Sequence, residues 1–352
     1  MFAVYATHAA PDVPLSALKI GDLPEPSVSD GWVRVKISHA SLNRHYLFTL
    51  RGISGHPEGI AYPITLGNDA AGTLEDGTPV VIYPLMGGDD WRGDETLDPQ
   101  WHIPSEFVHG TFADYAFVPR RNAVPLPATL SPLHASVLGT AWLTAYRSLF
   151  TKSRLRAGET VLIQGATGGM ATALIQLGRA AGFEVWATSR TQAGRTRAIE
   201  LGAHMTFSPN SSLPRKEAAV VDNIGPDTWG HSISSLARGG TLVMTGGTIG
   251  FDVHLNLLSL ISDQLTITGS IMGTLDDMQN MMNLIARAGI KPEIGAVLPL
   301  ERAEEGFRAM WEGKTAGKTV FIVTTMGVKP SPSGESFRFI YWRDGELPHG
   351  SS

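Results

Sequence analysis

Val161, Leu162 and Ile163 lead through Gln164 and Gly165 into Ala166, Thr167, Gly168, Gly169, Met170 and Ala171, an apolar run that breaks into glycines and resumes as a helical pattern. The chemistry suited to such a turn is the binding of a pyrophosphate. Ala166-x-Gly168-x-x-Ala171 is a relaxed form of the G-x-G-x-x-G/A spacing: Gly168 has no Cβ to hold an anion away, and Ala171 lets the helix pack close on the strand. The backbone of Ala166, Thr167, Gly168, Gly169 and Met170 is the candidate cradle, because N–H groups at a helix start face the anion and the helix dipole adds to the attraction. A purely structural glycine turn is the competing reading, and the flanking residues argue against it. Leu174, Leu177, Gly178 and Ala181 recur at helical spacing, Gly182 closes the helix, and Phe183 to Thr188 reads as the next strand, completing a βαβ unit.

The end of that second strand bears on which nucleotide binds. NAD-binding proteins usually carry an Asp or Glu there for the ribose hydroxyls; this chain has Thr188, Ser189 and Arg190. No carboxylate repels a 2′-phosphate, Ser189 can donate a hydrogen bond, and Arg190 offers a planar fork. NADPH is therefore the expected cofactor. Against this stands the reading of Arg190 and nearby Arg195 as solvated surface side chains.

The elements around this turn suggest two domains. The chain has 352 residues, 43% of them hydrophobic, enough for two substantial cores. A formal net charge of −5 and the lack of a basic stripe argue against nucleic-acid binding. The alternating start, Met1 to Ala6, does not read as a signal peptide, and no apolar run is long enough to span a bilayer, so a cytoplasmic protein is expected. Without any cysteine there is no disulfide, thiol nucleophile or thiolate metal site. Gly31 to Ser38 alternates with period two, and Thr78 to Tyr83 and Thr111 to Val118 add further strands, so the front of the chain is β-rich. Pro132 to Phe150 is helical, and after the βαβ unit strands are expected at 218–224, 240–245 and 264–269. Such alternation implies an α/β, doubly wound parallel sheet. A helix near Asp276 to Ala288 and a strand over Gly317 to Val323 follow; beyond Met326 the chain reads as a tail, in which Phe337 to Trp342 could pair as a strand.

Local motifs carry a family resemblance over residues 1 to 325. Ala40 to Asn43 with Arg51 and Gly52, Pro63 to Gly72, Leu143 to Tyr146, and Gly313 to Val320 resemble those of the medium-chain dehydrogenase/reductase superfamily, and most of all its zinc-free quinone oxidoreductase-like branch. The resemblance implies a GroES-like catalytic domain at 1–129, a Rossmann dinucleotide-binding domain at 130–270, a return to the catalytic domain at 271–325, and a tail at 326–352. It also implies an active site in the cleft between domains and a homodimer. Zinc alcohol dehydrogenases of this superfamily place Cys where Asn43 stands, and His then Glu where Asn68 and Asp69 stand. No metal is therefore expected there. The residues from Gly87 to His109 replace the four-cysteine zinc lobe, and His102, Glu106 and His109 are not expected to hold a metal there, since histidines in a Gly, Asp and Pro-rich loop are more often solvated.

By the same resemblance Asn43 lies on the cleft wall and is the first candidate to stabilise a substrate oxyanion; capping a turn is its alternative. Tyr46, which departs from the branch's common Asp, and His45 are candidate proton sources, with a buried core tyrosine as the alternative for Tyr46. Asp69 is expected to line or brace the cleft. On the nucleotide side Thr144 is carried over as a nicotinamide contact, Gly246 and Gly247 as close-approach positions, and Ile271, Met272 and Gly273 as the segment bordering the nicotinamide. Their alternatives are a self-bonded helix residue, an ordinary turn and core packing. Without a metal to polarise an isolated carbonyl, the expected reaction is hydride transfer to a conjugated carbonyl or quinone, which carries its own electron sink. Two rivals remain: an alcohol or aldehyde dehydrogenase with an atypical metal site, and an NADPH-binding sensor or scaffold without turnover.

Overall fold

The computed structural model describes residues 1–54, 59–88 and 90–323. The expected tail at 326–352, with its Phe337 to Trp342 strand, lies outside them. Among the described residues no helix is long and apolar enough to cross a membrane.

The alternating segment of the front part forms the strand Trp32–Ser41, which pairs antiparallel with Asp69–Leu74, Tyr115–Pro119 and Lys318–Ile322. Its register sets Ser41 opposite both Asp69 and Val320, which brings three distant pieces of chain to one end of the sheet. Pro79–Ile82, Ala123–Pro125 and Ile294–Pro299 complete the seven strands. Beneath the sheet Phe112 meets Phe321 and Tyr46 edge-on, with ring centroids 5.1 Å apart in each case. Such geometry sets the positive edge of one ring against the negative face of the next.

The second unit is a six-stranded parallel sheet in the order 205–207, 184–188, 160–163, 217–222, 236–244 and 266–269. This is the doubly wound α/β architecture expected from the alternation of strands and helices. Strand order reverses at Thr160–Ile163, the position where such sheets open a ligand crevice. The following helix, Gly169–Ala180, buries Ala171, Leu174, Leu177 and Gly178. A Cβ on Gly178 would stand 2.9 Å from Val185 Cγ2, so the close approach of this helix to the next strand requires glycine.

The segment between the units is less regular than its sequence pattern implies. A short α-helix, Pro132–Ala135, gives way to π-helical turns at Leu138–Trp142 and Ser148–Lys152, with α-helix Leu143–Arg147 between them. Within it Arg147 is almost wholly buried: Nη1 donates to Asp277 Oδ2 at 2.8 Å, and Nη2 pairs with Asp94 and reaches Thr96 Oγ1 at 3.2 Å. One guanidinium thus fastens the 87–109 loop and the helix Leu275–Ala288 to the same segment.

Candidate active site

Where the strands ending at Ser41 and beginning at Asp69 meet, polar side chains close into a buried network. Asn43, 7% exposed, donates from Nδ2 to Asp69 Oδ2 at 2.8 Å and to Tyr46 Oη at 3.0 Å, while its Oδ1 accepts from Lys318 Nζ at 2.5 Å. Asp69 also accepts from Ser41 Oγ at 3.3 Å and, on Oδ1, from Thr140 Oγ1 at 2.5 Å; Lys318 Nζ lies 3.6 Å from Oδ2. Burial pushes the Asp69 carboxyl up and the Lys318 ammonium down, each against the attraction of the other. Both Nδ2 protons of Asn43 are committed. The amide expected to stabilise a substrate oxygen is therefore the hub of an internal network.

Tyr46 is fully buried. Its Oη accepts from the backbone N–H of Asn68 at 2.7 Å as well as from Asn43, and burial first, then Asp69, holds the phenol well above its ordinary range. The structure thus places it as a core brace, the alternative weighed for it above. His45 is different. It opens the helix His45–Arg51, its side chain is 25% exposed, and its Nε2 stands 2.7 Å from Glu106 Oε1, whose other oxygen accepts from Ser54 Oγ at 2.9 Å. Nδ1 of His45 has no partner among the described residues. Ser105, next to Glu106, bonds Asn68 across 3.1 Å. The 105–106 segment thus meets both His45 and Asn68. His102 and His109 do not join these contacts: Nδ1 of His102 lies 3.1 Å from the Gln100 carbonyl, and Nδ1 of His109 accepts from Thr65 N at 3.1 Å.

The donor set at Asn43, Asn68, Asp69 and Thr140 does not suit zinc. Its one carboxylate is already surrounded by Asn43, Ser41, Thr140 and the Lys318 ammonium, and an ammonium beside the carboxylate repels a second cation. Amide and hydroxyl oxygens supply no charge in compensation.

The nucleotide turn has the features a bound dinucleotide needs. Gly168 takes extended angles at the N-cap of its helix, and nothing lies within 4 Å of where its Cβ would be, so the turn is open to an anion. Met170 Sδ accepts from Thr245 Oγ1 at 3.4 Å, which links the cradle to the 236–244 strand. At the end of the second strand Arg190 is exposed and has no partner among the described residues, and Ser189 Oγ faces Gly194. Arg195, by contrast, donates to the Ser189 carbonyl at 2.8 Å and so braces the strand end. Thr144 bonds its own helix, Oγ1 to Thr140 O at 2.7 Å. A Cβ on Gly247 would lie 2.2 Å from the Gly250 carbonyl oxygen, so that glycine is required by its own turn, whereas Gly246 is less crowded. Ile271 is exposed, Met272 is buried at a left-handed φ of 49°, and Gly273 packs against Leu143.

Sequence reasoning overlooked Lys318, Thr140 and Ser105 and considered Glu106 only as an unfavoured metal ligand. A basic residue heading the apolar strand Lys318–Ile322 was the available signal, since a buried lysine needs a partner.

Comparison with known proteins agrees with this architecture. Residues 29–128 match the alcohol dehydrogenase GroES-like domain, and residues 169–287 match the zinc-binding dehydrogenase domain. The chain is 27% identical over 334 residues to a mouse (Mus musculus) quinone oxidoreductase, covering 87% of this chain and 96% of the relative. It is 26% identical over 327 residues to an acryloyl-coenzyme A reductase of Sulfurisphaera tokodaii, covering 87% and 97% respectively. The crystal structure of an NAD-dependent alcohol dehydrogenase superposes with a TM-score of 0.84 at 29% identity, over 92% of this chain and all of that one.

Proposed function

We propose that this chain, a member of the medium-chain dehydrogenase/reductase superfamily by its two matched domains and their order, is an NADPH-dependent reductase of conjugated carbonyl compounds: enones, enoyl thioesters or quinones. The observation that carries this reading is the network at Asn43. Where a Lewis acid would polarise an isolated carbonyl, the chain sets an amide, a carboxylate and an ammonium that satisfy one another. A conjugated acceptor needs less polarisation, because negative charge arriving at its β-carbon delocalises onto its own oxygen. The relatives named for quinone and acryloyl-thioester reduction act on acceptors of this kind.

The residues fit the cofactor. Ala166 to Met170 would cradle the pyrophosphate with backbone N–H groups, while Ser189 and Arg190, which has no partner among the described residues, would take the 2′-phosphate. NADPH, when bound, supplies the hydride. His45 supplies the proton: its Nε2 lies 2.7 Å from Glu106 Oε1, which orients the ring, Nδ1 is left for the reduced acceptor, and the exposed part of the ring meets solvent. One hydride and one proton are thus added across the conjugated system. Asn43 forms the floor on which the acceptor rests, and Tyr46 braces the core beneath it.

Oxidation of NADPH by a panel of enones, enoyl thioesters, quinones, saturated ketones and aldehydes, repeated with NADH, tests the reading. Conjugated acceptors with NADPH are expected to dominate, and His45→Gln is expected to lower kcat by roughly tenfold or more while NADPH affinity stays unchanged. Zinc-dependent turnover of alcohols alone would establish the alcohol dehydrogenase reading. Tight NADPH binding without turnover of any acceptor would establish a sensor.

A further inference from the structure

Gly317 and Lys318 touch both halves of the site at once. The backbone N–H of Gly317 donates to the Thr167 carbonyl at 2.8 Å, and Gly317 forms a parallel bridge with Gly168, so this dipeptide is laced to the phosphate turn. The side chain of Lys318 then runs across the first residue of the following helix: a Cβ on Gly169 would stand 2.6 Å from Lys318 Cδ and 3.2 Å from Cγ. Beyond that point its Nζ donates to the Leu42 carbonyl at 2.9 Å and to Asn43 Oδ1 at 2.5 Å, beside Asp69. With 3% of the residue exposed, water cannot compete for the ammonium.

This arrangement is more specific than charge compensation requires. Asp69 could be neutralised by any cation, and an ammonium on a stem clamped by Gly169 is restrained along its length as well as at its tip. Of the residues in the network, Lys318 is the one whose stem also rests on the phosphate turn.

We propose that Lys318 is a positioning residue that references the Asn43 floor, and with it His45, to the nucleotide turn, so that occupancy of the turn and placement of the acceptor are linked. The proposal rests on the reductase reading for what the floor holds. The linkage itself is a property of the chain. A pyrophosphate ordering Thr167 to Gly169 steadies the Gly317 bond and the Lys318 stem, and the ammonium carries that restraint to the Asn43 amide. Lys318 gives up no proton and touches no reacting atom.

Two variants of the full chain separate this role from simple stability. Lys318→Met keeps a stem of similar bulk on Gly169 and removes the ammonium; Gly169→Ala keeps the charge and forces the stem aside. The first readout is the Asn43 side-chain amide resonance in asparagine-labelled protein, assigned by its loss in Asn43→Ser and followed as NADPH is added. It is expected to shift on NADPH binding in the parent and to stay still in either folded variant. The second is steady-state kinetics with a quinone at saturating NADPH, where each variant is expected to lose about tenfold or more in kcat, while in Lys318→Met, outside the cradle, the Kd for NADPH changes by less than about threefold. Should Lys318→Met fail to fold, Gly169→Ala carries the test alone. An Asn43 resonance that responds to NADPH equally in parent and variants overturns the proposal, as does an unchanged kcat with only a lowered Tm. Failure of the reductase reading would show separately, as absent quinone turnover in the parent, and would leave the resonance experiment fully informative.

Discussion

Tyr83 donates its phenolic proton to the carbonyl oxygen of Gly273 across 2.9 Å, joining residues 190 positions apart in the chain. Tyr83 follows the strand Pro79–Ile82 of the first sheet, and Gly273 ends the Ile271 to Gly273 segment expected to border the nicotinamide. Burial, with the nearby carboxylates of Glu95, Asp277 and Asp94 adding to it, pushes the phenol far above its ordinary range, so the proton stays on this bond at any working pH. Tyr83→Phe leaves a buried carbonyl without its partner. The expected cost is about 1–3 kcal/mol, read from urea unfolding, with a weaker Kd for NADPH as the segment loosens. Unchanged stability and affinity would show that the bond positions nothing.

Arg190 is expected to decide between the two nicotinamide cofactors. Its guanidinium is exposed and has no partner among the described residues, beside Ser189, where the strand ends Thr188-Ser189-Arg190 without a carboxylate. Arg190→Ala is expected to weaken NADPH by about 1.5–3 kcal/mol, roughly ten- to a hundredfold in Kd, and to leave NADH nearly unaffected, as fluorescence titration of both would show. Equal affinity of the parent for the two cofactors would return Arg190 to the solvated surface.

Tyr46 is expected to matter for stability and little for turnover. Its hydroxyl accepts from Asn68 N and Asn43 Nδ2 in a fully buried position, so Tyr46→Phe orphans two donors at a cost of about 1–3 kcal/mol. Denaturant midpoints should fall while kcat with a quinone holds. A large loss of kcat at unchanged stability would restore the phenol as proton source.

Glu217 sets a pH dependence remote from the site. It begins the strand Glu217–Asp222, at the opposite end from the nucleotide turn, and is fully buried, with Thr160 the one hydroxyl that eases its charge among the described residues. Burial pushes its carboxyl up to about 7, with Arg215 opposing and Glu184 reinforcing the shift. Between the unfolded value near 4.5 and that folded value, the folded chain holds a proton that the unfolded chain has released. Stability from this group is thus complete at low pH and is lost as pH rises through the window, by at most about 3 kcal/mol. Glu217→Gln is expected to raise Tm at pH 8 and change it little at pH 4.5. A parallel offset at both values would point to packing instead of titration.

What the sequence made legible is local. The strand Thr160–Ile163, the glycine turn and the helix Gly169–Ala180 lie within 21 residues, and period and turn chemistry identify each of them. The floor of the site is not local. Asn43 meets Lys318 across 275 positions and Asp69 across 26, and only strand pairing at Ser41 brings them together. Tyr46 illustrates a second limit: a tyrosine beside a candidate site reads alike whether its hydroxyl faces substrate or Asn68 N, and burial alone separates the two. The π-helical turns around Leu143 escape for a third reason, since their apolar spacing differs little from that of an α-helix.

The pairing of Lys318–Ile322 with Trp32–Ser41 also bears on the order in which the protein takes shape during synthesis. The parallel sheet draws its strands from one continuous stretch, 160–269, and can close as soon as that stretch has emerged. The first sheet cannot, because an interior strand is made almost three hundred residues after the strand it flanks. While translation proceeds, Trp32–Ser41 keeps an unpaired edge and Phe112 lacks the ring of Phe321, leaving apolar surface and backbone donors open to other chains. A nascent chain arrested before residue 317 would carry a finished nucleotide fold beside a front half still in need of a chaperone.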